Sequence, residues 1–206
     1  MSTQPAALSQ RNLWLTLAAV VWLVLMAIVW WLGHQLSPTW FDPARVAPHG
    51  FTEPANTRRL LMALWELKPD LPRNQALFIR FAQPDCACER FVESYHQLME
   101  PTLRKQGLYP VTLLPEDMER LASGLGPQLW EWIPSTPAIL VTTQDHQIAY
   151  FGPYHQEGIC NSENSYLEPV LQSLQADQPV SIVNTLVEGC FCSYPQAAHL
   201  QQALEN

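Results

Sequence analysis

Residues 76–88 read Ala76-Leu77-Phe78-Ile79-Arg80-Phe81-Ala82-Gln83-Pro84-Asp85-Cys86-Ala87-Cys88. An apolar run of strand length ends in a short polar turn and delivers two cysteines with one residue between them. An amphipathic stretch follows, with Phe91, Val92, Tyr95, Leu98 and Met99 on one helical face. Strand, cysteine pair and helix in that order make thiols reactive. A helix N-terminus carries partial positive charge and unpaired N–H groups, and both favour thiolate over thiol. The thiolate is the attacking species in disulfide exchange. A second pair, Cys190-Phe191-Cys192, stands near the end of the chain, and Cys160 leaves the number of cysteines odd.

Outward from this stretch, the elements alternate. Residues 56–67 place Leu60, Leu61, Leu64 and Trp65 on one helical face, and residues 88–106 form a helix with Pro101 as its kink or stop. A strand at 109–114 leads to helical residues 116–132, which Gly124-Leu125-Gly126-Pro127 interrupts. Residues 138–142 and 147–151 form a hairpin around Asp145-His146, 165–174 a helix, and 180–186 an extra strand. The alternation implies an α/β layer structure with mixed strands.

The amino terminus carries no charge from residue 13 to residue 32, LWLTLAAVVWLVLMAIVWWL. Such a helix covers roughly 30 Å, the thickness of a hydrocarbon core. Trp14, Trp30 and Trp31 sit near its ends, as interfacial belts do. No small-residue cleavage pattern follows, so a retained anchor is expected rather than a signal peptide. Arg11 flanks one side and Arg45 is the first basic residue beyond the other, which points to a cytoplasmic N-terminus. Paired cysteines suit an oxidising compartment. The expected organisation is a cytoplasmic segment at 1–12, a transmembrane helix at 13–33 and a proline-bearing linker at 34–55. A domain at 56–175 and an extension at 176–206 complete it.

The formal net charge is −8, and no Lys or Arg lies beyond Arg120. The absence of a basic stripe argues against nucleic acid and against a domain clinging to anionic lipid. There is no nucleotide loop, no paired catalytic carboxylate motif and no G-x-S-x-G elbow.

The stretch from Phe78 to Cys86 resembles the strand and active-site turn of thioredoxin-like proteins. Ile133-Pro134-Ser135-Thr136-Pro137-Ala138-Ile139-Leu140-Val141 is similar to that family's cis-proline segment and the strand behind it. Gln147-Ile148-Ala149-Tyr150-Phe151-Gly152 resembles its next strand and glycine. The whole is most similar to membrane-anchored, thioredoxin-like bacterial envelope proteins. The resemblance implies a thioredoxin-like mixed sheet flanked by helices, preceded by one N-terminal transmembrane helix. It implies that Cys86 is the exposed nucleophile and Cys88 its partner. It further implies that Thr136-Pro137 is cis, that the Thr136 backbone pairs with an extended substrate, and that Gly152 lines the same groove.

Departures from the family pattern shape the expected chemistry. With only Ala87 between the cysteines, a Cys86–Cys88 disulfide would close a small, strained ring, which favours an oxidant or isomerase over a strong reductant. Asp85 beside Cys86 disfavours the thiolate, and Arg80 could offset it. Cys190 and Cys192 form either a structural disulfide or a second redox pair that relays to the first. Cys160 is a buried free thiol, a resolving thiol or a partner of a tail cysteine, and His155 is read as a solvated loop residue. The expected function is a thiol–disulfide oxidoreductase acting on cysteine-bearing envelope proteins, anchored in a bacterial inner membrane with its soluble domain in the periplasm. It needs no cofactor beyond its cysteines and no metal. The alternatives are an envelope protein that binds or delivers Cu(I), which prefers soft thiolates, or a redox-inactive binding module.

Overall fold

The computed structural model describes residues 10–35, 39–42, 50–155 and 165–194. The chain divides into two compact units, Met1–Ser37 and Pro38–Asn206. The described residues of the first form helix α1 (Gln10–Gln35). Its stretch Trp14–Gly33, 20 residues of mean hydropathy 2.5, is long and apolar enough to cross a membrane.

The second unit runs β1 (Thr39–Trp40), α2 (Pro54–Leu67), β2 (Ala76–Phe81), α3 (Glu89–Lys105), β3 (Leu108–Leu113) and α4 (Pro115–Leu125). It continues with α5 (Gln128–Trp132), β4 (Ser135–Thr136), β5 (Ala138–Thr142), β6 (Ile148–Gly152) and α6 (Leu167–Gln175). The tail adds β7 (Ile182–Val183), β8 (Glu188–Gly189) and β9 (Cys192–Ser193). Five strands form one mixed sheet in the order β3-β2-β5-β6-β7. β2 runs parallel to β3 and antiparallel to β5, and β6 runs antiparallel to β5 and parallel to β7. This is the mixed sheet flanked by helices that the sequence implies.

Every residue of β2 is buried because both sheet faces are covered. Successive side chains point to opposite faces. Leu77, Ile79 and Phe81 enter one core with Leu60, Leu61 and Leu64 of α2 and Met118 and Leu121 of α4. Ala76 and Phe78 enter the other with Val92, Met99 and Leu103 of α3 and Val170 and Leu171 of α6. Pro101 lies inside α3 and does not end it. An interior proline costs about 3 kcal/mol. Val92, Met99 and Leu103 are buried on both sides of Pro101 and offset that cost.

Two expectations change. The segment read as a linker is partly domain: Phe41 is fully buried, Phe51 nearly so, and β1 pairs antiparallel with β8 of the tail. Apolar aromatic side chains in a proline-bearing stretch gain more by joining the core than by facing water. His155, read as solvated, is 5% exposed and stacks on Tyr154.

His96 and His155 share this aromatic pocket with Tyr95 and Tyr154. Burial pushes the His96 imidazole down to about 4, and the Arg80 charge pushes the same way. Burial pushes His155 down to about 4 as well. An unfolded chain binds protons at these imidazoles near pH 6.5, while the folded one stays neutral until about pH 4. Stability is therefore fully present above pH 6.5 and falls as pH drops toward 4. Thermal melts of the full-length protein in detergent should show the midpoint falling across this window. His155→Phe should flatten the fall, and an unchanged slope in that variant would exclude His155 as its source.

Candidate functional site

The site lies where β2 ends and α3 begins. Arg80 is a charge on an otherwise apolar strand, and it is 4% exposed. An isolated buried charge would be costly, so it must be paired. The partners come from the start of α3. Arg80 Nε donates to Glu89 Oε1 at 3.1 Å, and its Nη2 pairs with both Glu89 and Glu93. The Gln83 N–H donates to Glu89 Oε2 at 3.4 Å. Burial raises the Glu89 carboxyl pKa against the pull of Arg80. Hydrogen bonding from Arg80 lowers that of Glu93. The cluster rivets the turn and the first turn of α3 to the sheet. Arg80 therefore serves Glu89 and Glu93, and Asp85 stands exposed beside Cys86.

Cys86 and Cys88, the latter capping α3, are both buried, at 2% and 5% exposure. Neither is the exposed thiol that the sequence implies, because the tail covers them. β9 pairs antiparallel with β4, Thr136 opposite Cys192 and Ser135 opposite Ser193. The Thr136–Pro137 bond is cis. The Thr136 hydroxyl donates to the Cys192 carbonyl at 3.4 Å, and the Tyr194 N–H donates to the Pro134 carbonyl at 3.4 Å. Sγ of Cys86 lies 4.0 Å from the Thr136 carbonyl oxygen.

This register crosses the two cysteine pairs. Cys86 is bonded to Cys192 and Cys88 to Cys190, with Cα–Cα separations of 5.9 and 5.3 Å. The expected disulfide within each pair is replaced by two between them. One residue separates the cysteines in both motifs, and the first of each is bonded to the last of the other. That equality of spacing was the available signal. On the exposed side, Cys190 and Cys192 are only half-buried.

The tail is also held by groups that sequence reasoning missed. The Phe191 ring meets Phe41 edge-on, with centroids 5.2 Å apart. Tyr194 is buried against Trp130, centroids 5.0 Å apart. The Thr39 hydroxyl donates to the Phe191 carbonyl at 3.2 Å, and the Phe41 N–H to the Val187 carbonyl at 2.9 Å. Gly152 takes φ +151°, and a Cβ there would fall 2.4 Å from the Asn184 carbonyl oxygen. A side chain at 152 would thus meet the strand edge at Asn184 and not the Cys86 turn. Cys160 lies outside the described residues.

Fold and site define an α/β protein with two crossed disulfides, buried on the Cys86 and Cys88 side and half-buried on the tail side, four cysteines at a spacing compatible with redox work. The chain belongs to the family described as Domain of unknown function (DUF6436), which matches residues 59–194. Both cysteine motifs and the cis-proline segment fall inside that match. Among solved structures, an uncharacterized conserved protein from Geobacillus kaustophilus is 18% identical, with 58% of this chain and 76% of that chain covered and a TM-score of 0.42. A hypothetical protein from Sinorhizobium meliloti 1021 is 18% identical, with 63% and 82% covered and a TM-score of 0.43. No curated protein matches the chain.

The disulfides close loops of 106 and 102 residues. Closing a loop near 100 residues removes about 4.7 kcal/mol of unfolded-state entropy in the chain-entropy view. The second bridge nests inside the first and adds little. The double variant Cys190→Ser/Cys192→Ser should lose about 3–5 kcal/mol of unfolding free energy in denaturant titration. Cys190→Ser alone should lose much less, because the remaining bridge closes nearly the same loop. Equal losses in both variants would contradict this nesting.

Proposed function

We propose that this chain is a membrane-anchored thiol–disulfide oxidoreductase of the bacterial envelope, acting as an oxidant or isomerase on cysteine-bearing proteins. The observation that carries this reading is the seat of Cys192. It sits on an extended segment, paired antiparallel with the residue before the cis proline and bonded to Cys86. The tail thus occupies the position that the thioredoxin-like resemblance assigns to a substrate peptide.

The exposure pattern suggests how exchange runs. An incoming thiolate reaches the half-buried Cys192 rather than the buried Cys86. It forms a mixed disulfide with Cys192, and the electron pair of the broken S–S bond leaves on Cys86. The leaving thiolate sits beside the start of α3, where the helix dipole stabilises it, and a more stable thiolate leaves faster. A second thiolate of the substrate then attacks its own sulfur in the mixed disulfide and releases Cys192. The substrate is oxidised by two electrons, and Cys86 and Cys192 become thiols after taking up the protons the substrate lost. Cys88–Cys190 lies next to them and can exchange with the new dithiol, so the chain stores two such oxidations.

The apolar helix with its flanking tryptophans supports an anchor in the inner membrane, and four paired cysteines support a periplasmic domain. The full-length protein in detergent should oxidise a dithiol peptide. Cys86→Ser and Cys192→Ser should each slow this by at least about tenfold, a rise of at least about 1.4 kcal/mol in the barrier. Cys160→Ser should leave the rate unchanged. Equal rates in all three variants would end the redox reading.

Topology has a separate test. After mild reduction of intact cells with their outer membrane permeabilised, a thiol reagent unable to cross the inner membrane should label the four cysteines. Labelling only after lysis would place the domain in the cytoplasm.

A further inference from the structure

Among the described residues, the sulfur atoms of Cys86, Cys88 and Cys192 all lie within 4.8 Å of one another, and that of Cys190 is bonded to Cys88. Four sulfurs from two chain segments therefore share one small volume. We propose that, once both disulfides are reduced, Cys86, Cys88, Cys190 and Cys192 form a closed four-thiolate site for one thiophilic metal ion of the zinc type.

The tail does not depend on the S–S bonds for its position. The β4–β9 pairing, the β1–β8 pairing, Phe191 on Phe41 and Tyr194 on Trp130 contain no sulfur. Reduction leaves these contacts in place, so four thiols remain gathered. A tetrahedral zinc–thiolate centre has metal–sulfur bonds of about 2.3 Å and therefore sulfurs about 3.8 Å apart. The unbonded pairs among these three sulfurs draw in by no more than about 1 Å, and the two sulfurs of each broken disulfide move apart, both of which side-chain rotation can supply. On the tail, Cys190 and Cys192 both reach the Cys86–Cys88 turn, as the two bridges show.

Charge favours the same outcome. The start of α3 stabilises thiolates at Cys86 and Cys88, yet several adjacent thiolates repel one another. A divalent cation relieves that repulsion. The donor set is all sulfur, the ligand type that soft ions select, and it holds no open position for a substrate. The one-residue spacing is unusual for zinc within a single segment. Two facing segments supply the four ligands instead.

The chemistry balances without a redox step at the metal. Two molecules of a dithiol reductant convert the two disulfides to four thiols and become two disulfides themselves. Binding of the divalent ion then releases up to four protons as the thiols ionise. Metal and oxidant compete for the same sulfurs, so an occupied site holds the chain in its reduced form. The inference needs the four cysteines to be jointly reducible and does not need exchange with any other protein.

The test uses the full-length protein in detergent, reduced with a phosphine under anaerobic conditions and freed of excess reductant. Cobalt(II) should bind one per chain with sulfur-to-metal charge-transfer absorption, and zinc(II) should displace it. X-ray absorption at the zinc edge should give four sulfur ligands. Cys160→Ser should retain the site, while Cys190→Ser/Cys192→Ser and the oxidised protein should lose it. A reduced wild-type chain that binds no cobalt(II), or undiminished binding in the double variant, would overturn the proposal. Neither result depends on whether the dithiol-peptide assay succeeds.

Discussion

The antiparallel seat of the tail across the cis-proline segment is the constraint on which the site depends. With Thr136 opposite Cys192, two cysteine pairs of equal spacing face each other and both cross-links close. A slip of one residue would turn every tail side chain to the other face and leave four thiols unmatched. The same register buries Tyr194 and brings Phe191 onto Phe41, so burial of apolar area and pairing of sulfurs select one arrangement. Because the pairing segments come from opposite ends of the domain, these pairings tie residues 39–42, the cis-proline segment and the tail together.

A second decision is made at Arg80. A positive charge inside β2 would ordinarily destabilise a strand covered on both faces. Here it draws in Glu89 from the first turn of α3, and Glu89 in turn accepts from the Gln83 N–H. The helix start is thereby held against the strand end, with Cys88 as the residue that caps it. Breaking one partner of such a buried pair costs far more than the pair contributes, because the other charge is left alone. The geometry of the thiols thus rests on a neighbouring electrostatic contact that touches no sulfur.

Much of this fold was legible from local patterns. Residues 76–81 read as a buried strand, 138–151 as a hairpin and 13–32 as an apolar helix, because each signal is contained within a short window. The elements that were missed are those decided by distant partners. Pro101 reads as a stop until the buried residues on both sides of it are counted. Residues 39–42 read as linker because their partners, 185–191, lie at the other end of the chain. His155 reads as solvated because Tyr95 and Tyr154 are brought to it only by the packing of α3. The cysteine connectivity belongs to the same class: composition shows how many thiols there are, and only the strand register shows which ones meet.

The 102 and 106 residues between bonded cysteines have a consequence for synthesis. Cys86 and Cys88 leave the ribosome long before the residues that will cover them. Until Cys190 and Cys192 arrive, the two earlier thiols stand at the start of a helix with only each other and Cys160 as intramolecular partners. A chain that stops short of Cys190 still contains every residue of the helices and of the five-stranded sheet, yet its most activated sulfurs lie open. In this protein the two earlier thiols are capped only once the tail has been made.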